Sequence, residues 1–167
     1  MSNSLDDAEI HRIVQNVVQN MLGSTARESA QPSGKKIVTI GADHGGFELK
    51  EALKSDITAL GFEVSDVGTN SKDAVDYPDF AHAVALAVSS GKAWRGIMID
   101  GAGIGSCIVA NKVPRVRAGM AYDISSANNS REHNDTNVLS LGAGLIGVAL
   151  AKQIVKVWLT TDFAGGR

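Results

Sequence analysis

The sequence predicts an α/β domain, a five-stranded parallel sheet between two helical layers, with an amphipathic helix ahead of it. Three observations predict this: five short β-branched runs, a longer helical pattern after each, and enough apolar residues to cover both faces of a sheet. The chain has 167 residues, 44% of them hydrophobic and 20% charged, which fits one domain with a short appendage and leaves no room for a second catalytic domain. Sixteen basic residues against eighteen acidic ones give a formal charge of −2, so no field draws in nucleic acid or an anionic membrane. A small-molecule partner is the better expectation. The single cysteine, Cys107, excludes an internal disulfide and fits a reducing compartment. No apolar run reaches the roughly 18 residues of a membrane span, and Met1-Ser-Asn-Ser-Leu-Asp-Asp lacks the features of a secretory signal. A cytoplasmic protein is expected.

Over 5–22 the apolar residues Ile10, Ile13, Val14, Val17, Val18, Met21 and Leu22 keep the i, i+3, i+4 spacing of one helical stripe. Ser4 is placed to cap this helix, Asp6 and Asp7 suit its positive end, and Gly23 stops it. Residues 24–35 hold almost no large apolar side chain and form a tether. The boundaries are therefore 1–23 for the helix, 24–35 for the linker and 36–167 for the domain. The stripe either folds back or pairs with another subunit, or it docks on a different protein.

In the domain, strands are expected over 36–40, 63–67, 95–99, 116–121 and 137–141, and helices over 47–60, 79–90, 104–111, 124–133 and 145–159. This is a Rossmann-like three-layer arrangement with right-handed crossovers, in which ligands sit beyond the carboxyl ends of the strands. The first strand ends in Gly41-Ala-Asp43-His44-Gly45-Gly46, where Asp43 is either a helix cap or a ligand contact and His44 either a solvated side chain or a contact. A later loop carries Asp76 and Tyr77, with Asp79 placed to cap the next helix.

The third strand opens into Asp100-Gly101-Ala102-Gly103-Ile104-Gly105-Ser106, whose successive N–H groups form an anion nest. The spacing G-x-G-x-G lacks the last glycine of the dinucleotide fingerprint, so no nucleotide cofactor is expected. Asp100 either points into the nest as a proton acceptor or accepts hydrogen bonds from its own loop. His133, at the end of a polar helix, is either an acid–base group or a cation favoured by the helix terminus. Cys107, between Ile104, Ile108 and Val109, is expected to pack rather than react.

Five ordered segments resemble the B-type ribose-5-phosphate isomerases and the related galactose-6-phosphate isomerase subunits. They are Ile40-Gly-Ala-Asp-His-Gly-Gly-Phe-Glu-Leu-Lys50, Val75-Asp-Tyr-Pro-Asp-Phe-Ala-His82, Gly101-Ala-Gly-Ile-Gly105 with Ala110-Asn-Lys-Val113, Arg131-Glu-His-Asn-Asp-Thr-Asn-Val-Leu139, and Gly165-Gly-Arg167. The resemblance covers residues 36–167. It implies aldose–ketose isomerisation, ribose 5-phosphate to ribulose 5-phosphate or a related pair, through an enediolate, without metal or cofactor, in a homodimer or homotetramer with the site between subunits. By the same resemblance His133 opens the sugar ring and Asn134 contacts the oxyanion. Asp43, Asp76 and Tyr77 contact the sugar, His44 and Arg167 contact the phosphate, and the N–H groups of 101–105 hold the developing oxyanion.

Three positions depart from the family pattern. Asp100 stands where relatives have the Cys base, Ala102 where they have Thr, and Gly144 where they have a phosphate-binding Arg, and relatives continue beyond Arg167 with a His and a basic helix. A carboxylate is admissible as an enolising base, as the glutamate of triosephosphate isomerase shows. Asp100, His133 and Asp43 are accordingly the expected catalytic groups. The departures leave open an isomerase with a changed substrate and a silent sugar-binding or scaffold protein. The helix over 5–22 and its tether resemble the encapsulation peptides of enzymes housed in bacterial microcompartments, which implies a shell-protein partner and a location inside such a compartment.

Overall fold

The computed structural model describes Asp6, Glu9, His11, Arg12, Val14, Gln15 and residues 34–165. The chain divides into residues 1–34 and 35–167. In the first unit, Glu9, His11, Arg12, Val14 and Gln15 are helical, and Asp6 accepts from the N–H of Glu9 through its carboxylate at 2.7 Å. The cap expected at Ser4, the apolar stripe apart from Val14, and most of the expected linker lie outside the described residues, as does Arg167.

The second unit alternates strands and helices without exception: β1 (Ile37–Ala42), α1 (Phe47–Ala59), β2 (Glu63–Asp66), α2 (Tyr77–Ser89), β3 (Arg95–Asp100), α3 (Ile104–Ala110), β4 (Ala118–Met120), α4 (Ile124–Glu132), β5 (Val138–Gly142) and α5 (Val148–Thr160). The strands are parallel in the order β2-β1-β3-β5-β4. Side chains on successive strand residues face opposite layers. Thus Ile97 and Ile99 join Leu53, Ile57, Ile154 and Trp158 of α1 and α5, whereas Met98 joins Val84, Ala85 and Val88 of α2. Each fully buried large side chain contributes about 1.5–3 kcal/mol of hydrophobic free energy, which holds both helical layers to the sheet. The expected three-layer α/β sandwich is the observed fold.

Element ends shift where turn chemistry overrides periodicity. The second helix starts at Tyr77 rather than 79 because Pro78 fits its first turn; Asp76 is the N-cap position and Asp79 lies inside. The last helix starts at Val148 rather than 145 because the N–H groups of Leu145 and Ile146 both turn back to Gly142 O, and Gly147 is extended. The fourth strand shrinks to three residues, since Val116 closes a turn onto Val113 O.

The chain moves from β1 outward to β2, then returns to β3 on the other side of β1. The crevice beyond β1 and β3 is thus the topological switch point, where open α/β sheets bind ligands. Asp43 follows β1 and Asp100 ends β3, and Asp43 N donates to Ile99 O at 3.1 Å.

Candidate active site

Two groups of the expected site residues occupy opposite ends of the sheet. At the carboxyl end, the turns after β1 and β3 abut. A Cβ built on Gly45 would sit 3.4 Å from Asp43 Oδ1 and 3.8 Å from Gly101 N. Asp43 is buried, and its Oδ1 accepts from Gly46 N at 2.9 Å while Oδ2 has no donor among the described residues. His44 is exposed, with Nδ1 3.2 Å from both Val75 N and Val75 O, which pins the ring beside the residue preceding Asp76. Asp76 makes no capping bond to α2. Tyr77 lays its ring over Gly105, where a Cβ would come within 2.6 Å of it. A third aromatic group was not assigned from the sequence: Tyr122 Oη donates to Ala102 O at 3.1 Å. A Tyr just after the short fourth strand was the available signal.

Asp100 makes the hydrogen bonds of the second of its two readings, acceptance from its own loop. Its Oδ1 accepts from Ala102 N at 2.8 Å and from Gly103 N, and its Oδ2 accepts from Ser106 N at 3.1 Å and from the Ser106 hydroxyl. An ionised carboxylate offers about four lone-pair positions, and four donors take them. The carboxylate is thereby tied to its own turn. Asp100 is buried and organises the turn, with Gly103 at φ 80° supplying the left-handed step. The same bonds consume part of the expected nest, since Ala102 and Gly103 no longer present free N–H groups. Those of Gly101, Ile104 and Gly105 have no acceptor among the described residues. Ser106, fully buried, is the residue that sequence reasoning overlooked here. Cys107 packs as expected: its thiol lies 3.5 Å from Ala118 O, and burial pushes its pKa up.

At the amino end, His133 is the exposed C-cap of α4, its N–H bonded to Asn129 O at 3.0 Å. Asn134 donates to Asn129 Oδ1 at 3.1 Å and borders an open cleft of about 640 Å³ along β4 with Asn111, Arg117, Met120, Ser126 and Asn129. Both residues precede β5, whose start pairs with Gly96 and whose end pairs with Asp100. The intervening strand length is about 13 Å at 3.3 Å per residue. One chain therefore does not bring His133 and Asn134 to Asp43 and the 101–105 turn. Among the described residues no group of three or more His, Cys, Asp or Glu could hold a metal ion, and no helix is long and apolar enough to cross a membrane.

Residues 38–167 match the ribose/galactose isomerase family. The chain is 46% identical over 132 residues to ribose-5-phosphate isomerase B of Escherichia coli, covering 79% of this chain and 89% of the relative. It is 41% identical over 130 residues to the D-erythrulose-4-phosphate isomerase of Pectobacterium atrosepticum, covering 77% of this chain and 86% of that protein. The structure of Clostridium thermocellum ribose-5-phosphate isomerase B superposes with a TM-score of 0.77 at 48% identity, over 78% of this chain and 88% of that one. The switch-point crevice, its glycine turn and the matched span together show that this chain belongs to the ribose/galactose isomerase family, a family of sugar-phosphate isomerases.

Proposed function

We propose that two copies of this chain assemble one aldose–ketose isomerase site, which interconverts ribose 5-phosphate and ribulose 5-phosphate or a shorter homologue through an enediolate. One observation supports this: the expected residues form two groups at opposite ends of one sheet, and a second copy would set the His133 end of one chain against the Asp43 end of the other. The exposed Ile104 and Ile108 of α3 and Ile124 of α4 supply an apolar surface for that pairing, in a homodimer or in a homotetramer built from it.

In this reading the imidazole of His133 assists ring opening, and Asp76 and Tyr77 orient the open chain. Asp43, the buried carboxylate with an oxygen to spare, takes the C2 proton. The electron pair moves onto the C1 carbonyl oxygen, where the N–H groups of Gly101, Ile104 and Gly105 and Asn134 of the other copy stabilise it. Return of the proton to C1, with the O2 hydroxyl proton passing to O1, gives the ketose. His44 and Arg167 receive the phosphate. Asp100 serves by keeping the turn in shape.

The test is incubation with ribose 5-phosphate in deuterated water, followed by NMR. Incorporation of deuterium from solvent by the intact protein, lost in Asp43→Asn, fits the proposal; full exchange in Asp43→Asn removes Asp43 as the base. A second reading, a changed substrate, is favoured by Gly144 and by the similarity to an isomerase of a four-carbon sugar phosphate. Faster turnover of D-erythrulose 4-phosphate than of ribulose 5-phosphate would select it.

The segment 5–22, tethered by 24–35, acts in this proposal as an encapsulation peptide that docks on a shell protein and carries the 36–167 domain into a bacterial microcompartment. Deleting residues 1–23 should end co-purification with shell proteins and leave turnover intact. Unchanged co-purification defeats that role.

A further inference from the structure

Asn129 and Asn134 both line the open cleft along β4, and their side-chain amides are locked together. Asn134 Nδ2 donates to the backbone oxygen of Asn129 at 3.2 Å and to its side-chain Oδ1 at 3.1 Å. A backbone carbonyl only accepts, so the first contact fixes which way the Asn134 amide faces, and the second then fixes Asn129. Both hydrogens on Asn134 Nδ2 are engaged. The pair is left with one free acceptor, Asn134 Oδ1, and one free donor, Asn129 Nδ2, neither of which has a partner among the described residues. Both residues are exposed, so these groups are open to a ligand.

The frame that carries the pair is well tied. His133 N donates to the same Asn129 backbone oxygen at 3.0 Å. Arg131, only 4% exposed, holds the turn after Asn134 by donating to Asp135 Oδ1 at 3.0 Å and to Thr136 O. Arg131 is steadied in turn from the far side, where its Nε and Nη2 of the buried Arg95 both donate to Thr161 O, at 3.3 and 3.2 Å. A donor and an acceptor fixed in one unit suit a ligand that offers an acceptor and a donor on adjacent atoms. An open-chain aldose offers them as the carbonyl oxygen O1 and the O2 hydroxyl. Its enediolate offers them in the same places with negative charge on O1, and a hydrogen bond to a charged oxygen is the stronger one. The contact therefore tightens as the proton leaves C2, which is the condition for it to speed the reaction.

We infer that Asn129 and Asn134 of one copy form an amide clamp on the reacting end of the sugar held by the other copy, with Asn129 Nδ2 donating to O1 and Asn134 Oδ1 accepting from the O2 hydroxyl. This rests on the two-copy isomerase reading; it adds Asn129 to the site and gives the Asn134 contact its direction. Asn134 acts on the O1 charge through the donor that it orients in Asn129.

Two variants of the full-length chain separate the clamp from a merely structural pairing. Asn129→Asp keeps an acceptor for Asn134 and removes the outward N–H, and Asn129→Ser removes that N–H without adding charge. The readouts are kcat and KM for ribose 5-phosphate, deuterium incorporation from solvent, and the urea midpoint of unfolding. In both variants kcat should fall by about 100-fold with KM within about threefold, the pattern of a lost donor to an oxyanion. Deuterium incorporation should fall in step, and the unfolding midpoint should not move. A kcat within about threefold of the parent in Asn129→Ser overturns the clamp even if Asn129→Asp is slow, because added charge then explains the carboxylate variant. Combining Asn129→Ser with Asn134→Ala tests the pairing: the double variant should match the slower single variant within about threefold, and losses that multiply overturn it. A parent protein that neither turns over the sugar nor exchanges deuterium defeats the isomerase reading first. An active parent whose Asn129 variants keep its rate defeats the clamp alone.

Discussion

The turns after β1 and β3 are built alike and used differently. Each carries a buried Asp that accepts from the N–H three residues on, Gly46 for Asp43 and Gly103 for Asp100. Asp100 then takes three more donors, from Ala102 and twice from Ser106, while Asp43 takes none among the described residues. A carboxylate with every lone pair engaged holds a backbone; one with an oxygen to spare can hold a proton. On the proposed reading, scaffolding and chemistry are separated between two neighbouring acids that residue type and burial alone make look equivalent.

The largest expected effect would break that comparison. Asp100→Ala leaves the N–H groups of Ala102, Gly103 and Ser106 without their acceptor in a largely buried turn, and should lower stability by about 3 kcal/mol in urea unfolding. A loss below about 1 kcal/mol would mean that the turn holds itself. Next, Asp43→Asn should cost about 100-fold in kcat/KM, or about 2.7 kcal/mol, with less than about 1 kcal/mol of stability, the reverse of the Asp100 pattern. Equal stability losses at the two acids would erase the distinction.

Gly105→Ala sharpens the picture of the sugar-facing side, because the new methyl carbon would lie 2.6 Å from the Tyr77 ring. Displacement of that ring should raise KM by about five- to tenfold with kcat little changed, measured by steady-state kinetics.

The smallest effect concerns Asp66, just past which the chain leaves β2. Burial works to raise its pKa, but the ammonium groups of Lys50 and Lys54 and the N–H of Gly68 outweigh burial and hold the carboxyl below its usual range. A depressed folded-state value means that its contribution is complete above the unfolded pKa of about 3.9 and is lost as pH falls through the lower folded value. Thermal unfolding followed from pH 6 to pH 2 should therefore fall less steeply at the acid end in Asp66→Asn than in the parent chain. Identical slopes would place the acid sensitivity elsewhere.

The fold was legible because alternating apolar strands and amphipathic helices state their layers directly, as Ile97, Met98 and Ile99 do by dividing between two cores. The glycine turn was legible too, because a run such as 101–105 has few other uses at a strand end. The direction of the Asp100 carboxylate was not, since it depends on the donors of Ser106, six residues on, and on a turn that closes only in three dimensions. The separation of His133 from Asp43 follows from the parallel pairing of β1, β3 and β5, His133 preceding β5 and Asp43 following β1, which the residue types alone do not state. Arg95 and Arg131 escaped notice because a charged residue beside a strand or in a polar helix looks solvated until Trp94, Trp158 and the end of α5 enclose it.

Gly144 clasps the two crossing loops at a point with no room to spare. Its N–H bonds to Gly101 O at 2.9 Å, and the first carbon of any side chain there would sit at that same distance from the same oxygen. A larger residue at 144 therefore requires the loop that Asp100 fastens to move, so that a change at one of these positions alters what the other can accept.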